Sequence, residues 1–111
     1  MADFLFLFRG GRPESQNYSP DQMQQHMQKW GAWIEALDKE GVFKGGAPLS
    51  MDSKVLRDAI VSDGPYAEAK DAVGGYVIVA AETLDDAAEM AKKCPIFETK
   101  GVVEVRPITA M

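Results

Sequence analysis

The sequence predicts an α+β domain in which two helices cover one face of a four-stranded antiparallel sheet, and three observations carry that prediction. Two segments open on capping residues and continue with apolar residues at helical spacing, one from Ser19 and one from Thr83. Two others, residues 4–8 and 76–81, are short and apolar on both alternating faces, the pattern of strands covered from two sides. The elements alternate as strand, helix, strand, small hairpin, strand, helix, strand within 111 residues, a length that holds one core. A single domain over residues 1–111 is expected.

Phe4-Leu5-Phe6-Leu7-Phe8 is the first strand, with phenylalanines on one face and leucines on the other. Residues 10–18, rich in Gly, Pro, Ser and Asn, form a loop. The first helix starts at Ser19 as N-cap, with Pro20 in the first helical position, Gln22 completing a capping box and Tyr18 and Met23 set as a hydrophobic staple. Met23, Met27, Trp30, Ile34 and Leu37 then draw a core-facing stripe that ends before Gly41, with His26 and Trp33 at one edge. Val42-Phe43-Lys44 is a short strand running into Gly45-Gly46, where a bulge or a close backbone approach is expected, and residues 47–53 are loop. Lys54-Val55-Leu56 and Ile60-Val61-Ser62 flank Arg57-Asp58-Ala59 as a small hairpin, although the turn lacks glycine. After the Asp63-Gly64-Pro65 turn comes the strand at 76–81. Thr83 caps the second helix, whose first turn carries Asp85 and Asp86 and whose inward face is Leu84, Ala87, Ala88, Ala91 and Cys94, with Pro95 as the stop. Val102-Val103-Glu104-Val105-Arg106 closes the chain as a strand, with Pro107 suited to its end.

This order is the split βαβ pattern of a ferredoxin-like βαββαβ protomer with one inserted hairpin. Two helices cover only one face of a four-stranded sheet, whereas the first strand and the strand at 76–81 ask for two covered faces. The other face is therefore expected to pack on a second copy, giving a homodimer through the sheet face.

Charge and composition exclude several function classes. A formal net charge of −5 opposes binding to nucleic acid or to an anionic membrane, both of which draw basic patches. The apolar runs are too short to span a bilayer as helix, which takes about 20 residues. One cysteine, Cys94, and no signal-peptide pattern point to a cytoplasmic setting. One histidine and one cysteine without clustered partners argue against a metal site, and neither a Gly-rich phosphate loop nor a nucleophile elbow is present, so no metal and no cofactor is expected.

The candidates for chemistry each carry a structural reading beside the functional one. His26 is either a packing residue with satisfied nitrogens or a proton-transfer group, imidazole being the side chain that titrates near neutrality unperturbed. Asp63 before Gly-Pro suits a turn, or it supplies a carboxylate. Trp30, Trp33 and Tyr66 fill core or line a ligand pocket. Arg9 and Arg106, at strand ends, make surface ion pairs or hold an anionic group.

Asp63-Gly64-Pro65-Tyr66-Ala67-Glu68-Ala69-Lys70, followed by Gly74-Gly75-Tyr76 and by Glu104-Val105-Arg106-Pro107-Ile108, resembles the DGPF branch of the YCII-related proteins from Phe4 to Ile108. The resemblance implies a ferredoxin-like protomer that dimerises into an α/β barrel. It implies no single activity: some YCII-like proteins are regarded as enzymes of small organic molecules with a His and an Asp as the working pair, and one relative is a dehydrochlorinase of chloroaromatic breakdown. His26 stands where such proteins carry their histidine, and Asp63, opening the motif, is the carboxylate chosen. Tyr66 replaces the Phe of the motif and adds a hydroxyl to an otherwise apolar contact. Two functions follow: a cofactor-independent enzyme using His26 and Asp63 for proton transfer, with Trp30, Trp33 and Tyr66 shaping its cavity, or a non-catalytic dimeric module. The second would bind a small ligand or a transcription regulator, in keeping with the branch's association with extracytoplasmic-function sigma factors.

Overall fold

A computed structural model of the chain describes residues 1–68 and 70–111, with Ser15 described in its backbone only; Ala69 of the signature segment lies outside the described residues. The elements are β1 (Ala2–Arg9), α1 (Pro20–Lys39), β2 (Phe43–Pro48), β3 (Lys54–Arg57), β4 (Ile60–Asp63), β5 (Val73–Ala81), α2 (Leu84–Ala91) and β6 (Val102–Pro107), with 3-10 turns at Pro13–Gln16 and Pro95–Thr99. Four strands make one sheet in the order β2-β5-β1-β6 with every neighbour antiparallel, and β3 pairs with β4 as a separate hairpin. This is the α+β ferredoxin-like architecture with an inserted hairpin that the sequence predicts.

The alternation of β1 sets the layers. Phe4, Phe6 and Phe8 are 4%, 0% and 6% exposed on the face that the helices cover, while Leu5 and Leu7 are half-buried on the other. In register beside the phenylalanines stand Val79, Val77 and Gly75 on β5, and Val105 and Val103 on β6. Each phenylalanine taken fully out of water contributes about 1.5–3 kcal/mol. The indole of Trp33 stacks on Phe6 with ring centres 6.1 Å apart and donates its N–H to the Met90 carbonyl at 3.2 Å. Trp33 is thus a core residue that ties α1 to α2.

The start of α1 matches its sequence signature. Ser19 Oγ accepts from the Gln22 amide at 3.2 Å, and the Ser19 amide donates back to Gln22 Oε1 at 2.8 Å. Such a cap is worth about 1 kcal/mol. At α2, Thr83 Oγ1 accepts from the Asp86 amide at 3.1 Å.

Five expectations need correction. The stripe of α1 is only partly the buried face: of its members Leu37 is buried, Met23, Trp30 and Ile34 are half-buried and Met27 is 55% exposed, whereas His26 and Trp33 at its edge are buried. β2 continues through Ala47 and Pro48, which pair with Tyr76 and Gly75, so those two residues are strand rather than loop. An edge strand tolerates a proline there, and the expected bulge falls between Phe43 and Gly45. α2 ends at Ala91 because Cys94 precedes a proline and adopts an extended backbone, which hands the chain to the 3-10 turn. Leu84 is 45% exposed rather than inward-facing, since a side chain in the first turn points back past the helix start. β5 begins at Val73, so the Gly74-Gly75 pair lies inside the strand. In the β3–β4 hairpin the turn forms without glycine, Asp58 and Ala59 both taking positive φ of 51° and 63°.

Candidate functional site

Between α1 and the β2–β5 half of the sheet lies a hollow whose floor includes two residues without side chains. On the helix-facing surface the register aligns Gly46 with Val77 and Pro48 with Gly75, the latter beside Phe8. Gly46 and Gly75 leave that floor bare, and a Cβ at Gly46 would meet the Tyr76 carbonyl oxygen at 2.5 Å. The cavity has a volume of about 520 Å³ and is roofed by Met23, His26, Met27, Trp30 and Ile34 of α1. The methionine and tryptophan stripe read from the sequence is thus real, but it faces this hollow. Its size falls within the range for small-molecule sites, roughly 300–1,000 Å³, and its walls are mainly apolar. Arg12 and Glu14 stand at its polar side, 3.7 Å apart.

His26 is the buried ionisable group of this wall, 3% exposed. Its Nε2 accepts a hydrogen bond from Trp30 Nε1–H at 3.0 Å, so the proton of the neutral ring sits on Nδ1. Nδ1 is buried without a hydrogen-bond partner among the described residues, and the Glu98 Oε2 atom lies 3.6 Å away, an ion-pair distance longer than a hydrogen bond. Glu98 comes from the 3-10 turn Pro95–Thr99, and its other oxygen accepts from Lys29 Nζ at 2.9 Å. That hydrogen bond, with the ammonium charge and the nearby imidazole behind it, holds the Glu98 carboxyl below its usual range against a smaller desolvation effect. The Tyr18 ring packs edge-on to the imidazole with centres 5.8 Å apart. Lys29, Glu98, His26 and Trp30 therefore form one line from the surface into the cavity wall.

The remaining sequence candidates are distributed over four places. Trp30 lines the cavity and meets Phe8 edge-on at 5.0 Å. Trp33 is in the core, as described. Asp63 is on β4, exposed, with its carboxylate paired to Lys54 across the hairpin. Tyr66 is 75% exposed, its hydroxyl accepting from Arg57 at 3.2 Å and its ring facing that guanidinium at 5.7 Å. Gly64-Pro65 between them is a cis peptide, and the Gly64 amide donates to the Ser53 carbonyl. Tyr66 and Arg9 border a second hollow of about 600 Å³ between the hairpin and the end of the sheet. Arg9 donates to Glu104 Oε1 and to the Asp71 carbonyl, both at 3.0 Å, while Arg106 is exposed on β6. The structure brings His26 and Trp30 together in one cavity wall, and Asp63 and Tyr66 belong to the hairpin region.

Sequence reasoning missed Glu98. Nothing in its spacing marks it, because 72 positions separate it from His26 and the contact arises only when the turn after α2 folds against α1. The glycine floor left a trace in the paired glycines at 45–46 and 74–75.

Cys94 is buried, and desolvation pushes its thiol up to about 12 against a smaller opposing hydrogen bond from the Ile96 amide. No helix among the described residues is long and apolar enough to cross a membrane, and no cluster of His, Cys, Asp and Glu suited to a metal occurs among them.

Comparison with curated protein sequences returns no match. Among solved structures, the chain is similar to the 5-chloro-2-hydroxyhydroquinone dehydrochlorinase of Burkholderia phenoliruptrix AC1100, in complex with 2,5-dihydroxybenzoquinone. The TM-score is 0.54 at 21% identity, over 98% of this chain and 95% of that one, which is a likeness of fold. The pattern of the YCII-related domain matches residues 4–111, and the chain belongs to the YCII-related family.

Proposed function

We propose that this protein is a cofactor-independent enzyme that removes a proton from a small planar molecule held between α1 and the floor at Gly46 and Gly75, with His26 as the base. One observation carries the reading: a buried imidazole with a defined accepting nitrogen lines an apolar cavity of ligand size. The floor formed by bare backbone suits a flat ring, and Trp30 offers an aromatic edge beside it. The similar solved structure supports the chemistry, since loss of hydrogen chloride from a ring requires a proton acceptor and a departing chloride and no redox partner. The proposal gives Asp63 no part within one chain, since it stands on the exposed hairpin beside Lys54 and does not line the cavity.

The same reading includes a homodimer. Leu5, Leu7, Tyr76 and Ile78 form an apolar strip on the face opposite the helices, and a second copy laid on it would bury that strip. Sedimentation equilibrium at micromolar concentration checks this, with a monomer of about 12 kDa as the contrary result.

The test of function is chloride release from 5-chloro-2-hydroxyhydroquinone and related halogenated hydroxyaromatics. A substrate of the wild-type chain should be turned over about 10²–10⁴-fold more slowly by His26→Gln. The glutamine keeps an acceptor for Trp30, so folding should persist. Undiminished turnover by a folded His26→Gln variant would exclude the imidazole as the base.

A further inference from the structure

The Nδ1 of His26, without a hydrogen-bond partner among the described residues, points to a second residue of the site. It is buried, it carries the ring proton because Trp30 donates to Nε2, and the carboxylate oxygen of Glu98 lies 3.6 Å from it. Glu98 is paired through its other oxygen as well. Lys29, three residues after His26 on the same helix, holds the other oxygen at 2.9 Å, so the remaining one is presented to the imidazole.

We infer that Glu98, clamped by Lys29, is the positioning residue of His26, and that the indole N–H of Trp30 occupies the reactive nitrogen until a substrate replaces it. This rests on the reading of His26 as the base. Glu98 fixes the tautomer with hydrogen on Nδ1, which leaves the Nε2 lone pair as the one that accepts. In the working step the substrate's X–H bond breaks and its electron pair stays on X. The proton forms a bond to Nε2, and the indole N–H, now facing a ring nitrogen without a lone pair, withdraws. The imidazolium that results has Nδ1–H directed at a carboxylate, so its charge is offset within the site. The ligand class is correspondingly a planar molecule with an acidic O–H or C–H, able to deliver a donor where Trp30 now donates. A compound with only acceptors at that edge would find Nε2 without a proton to offer.

The positioning role can be tested without turnover, by ¹⁵N spectra of the His26 ring in the full chain. In Trp30→Phe the indole donor is gone, and a single tautomer with its proton on Nδ1 is expected to persist because Glu98 holds it. Adding Glu98→Gln to that variant should give two exchanging tautomers, and adding Lys29→Met instead should give a partial mixture. Lys29 and Glu98 side chains are 58% and 44% exposed, so neither change threatens the core. Should Trp30→Phe not fold, Glu98→Gln and Lys29→Met alone are read by the Nδ1 proton resonance. That proton should move upfield in both as the carboxylate is lost or loosened. One unchanged tautomer in all Trp30→Phe variants, or an unmoved Nδ1 proton, overturns the role of Glu98. Neither result bears on whether His26→Gln retains turnover, so the base and its positioning residue fail separately.

Discussion

The cavity floor includes Gly46 and Gly75, and the two positions should respond differently to the same added methyl. At Gly46 a Cβ falls 2.5 Å from the Tyr76 carbonyl oxygen and 3.0 Å from Val77 Cα, both backbone atoms of the neighbouring strand. Relief requires β2 to move off β5. Overpacking of this kind costs about 1–3 kcal/mol, which for a domain of this length lowers Tm by roughly 5–15 °C. At Gly75 a Cβ falls 3.1 Å from the Ala47 carbonyl oxygen, 3.4 Å from Pro48 Cα and 3.7 Å from Phe8 Cδ2. The first needs Ala47 to give by a few tenths of an ångström and the other two are ordinary van der Waals contacts, while alanine gains about 0.5–1 kcal/mol over glycine within a strand. Gly75→Ala should therefore melt within a few degrees of wild type while taking space from the cavity floor, and Gly75→Val should take more. The assay is thermal unfolding by circular dichroism together with calorimetric titration of 4-nitrophenol, a flat probe with an acidic hydroxyl. Equal melting of Gly46→Ala and Gly75→Ala would refute the assigned floor. So would probe binding unaffected by a folded Gly75→Val.

Two further predictions concern parts outside the cavity. Cys94 should be inert to thiol reagents at pH 8 in the native protein and react on unfolding, because burial pushes its thiol up to about 12. Since the thiol of the unfolded chain ionises near 9.0, the stability that this residue contributes is intact below that pH and lost as pH rises toward 12. Cys94→Ala should flatten that alkaline decline in chemical denaturation. In the hairpin, Ala59 holds a φ of 63°, a conformation that costs an L-residue about 1–2 kcal/mol. Ala59→Gly should strengthen the β3–β4 pairing, read as slower amide exchange across Lys54–Arg57 and Ile60–Asp63.

Local patterns carried the architecture into the sequence. The phenylalanine alternation of β1, the Ser19 capping box and the Thr83 cap are decided by neighbours within a few residues, and each stands as read. The sheet order follows from the strand and helix alternation. The errors fall where a distant partner decides. The stripe from Met23 to Ile34 has the spacing of a core face, yet the surface it meets includes glycines 46 and 75, far along the chain. Glu98 was illegible for the same reason. Asp63 attracted a functional reading because it opens a distinctive motif, and in the fold it ends a hairpin strand with its carboxylate paired to Lys54. His26 was legible as a residue but not as a geometry, since its tautomer is set by one neighbour a helical turn away and one from another element.

The claim at the centre is that His26 Nε2 takes a proton from a small molecule in the cavity. The direct measurement is the ¹⁵N spectrum of the His26 ring during titration with 4-nitrophenol, with the probe's colour followed in the same sample. Proton transfer predicts that Nε2 changes from an accepting to a protonated nitrogen as the bound probe takes the colour of its anion. Ring signals that stay unchanged at saturating probe would contradict it.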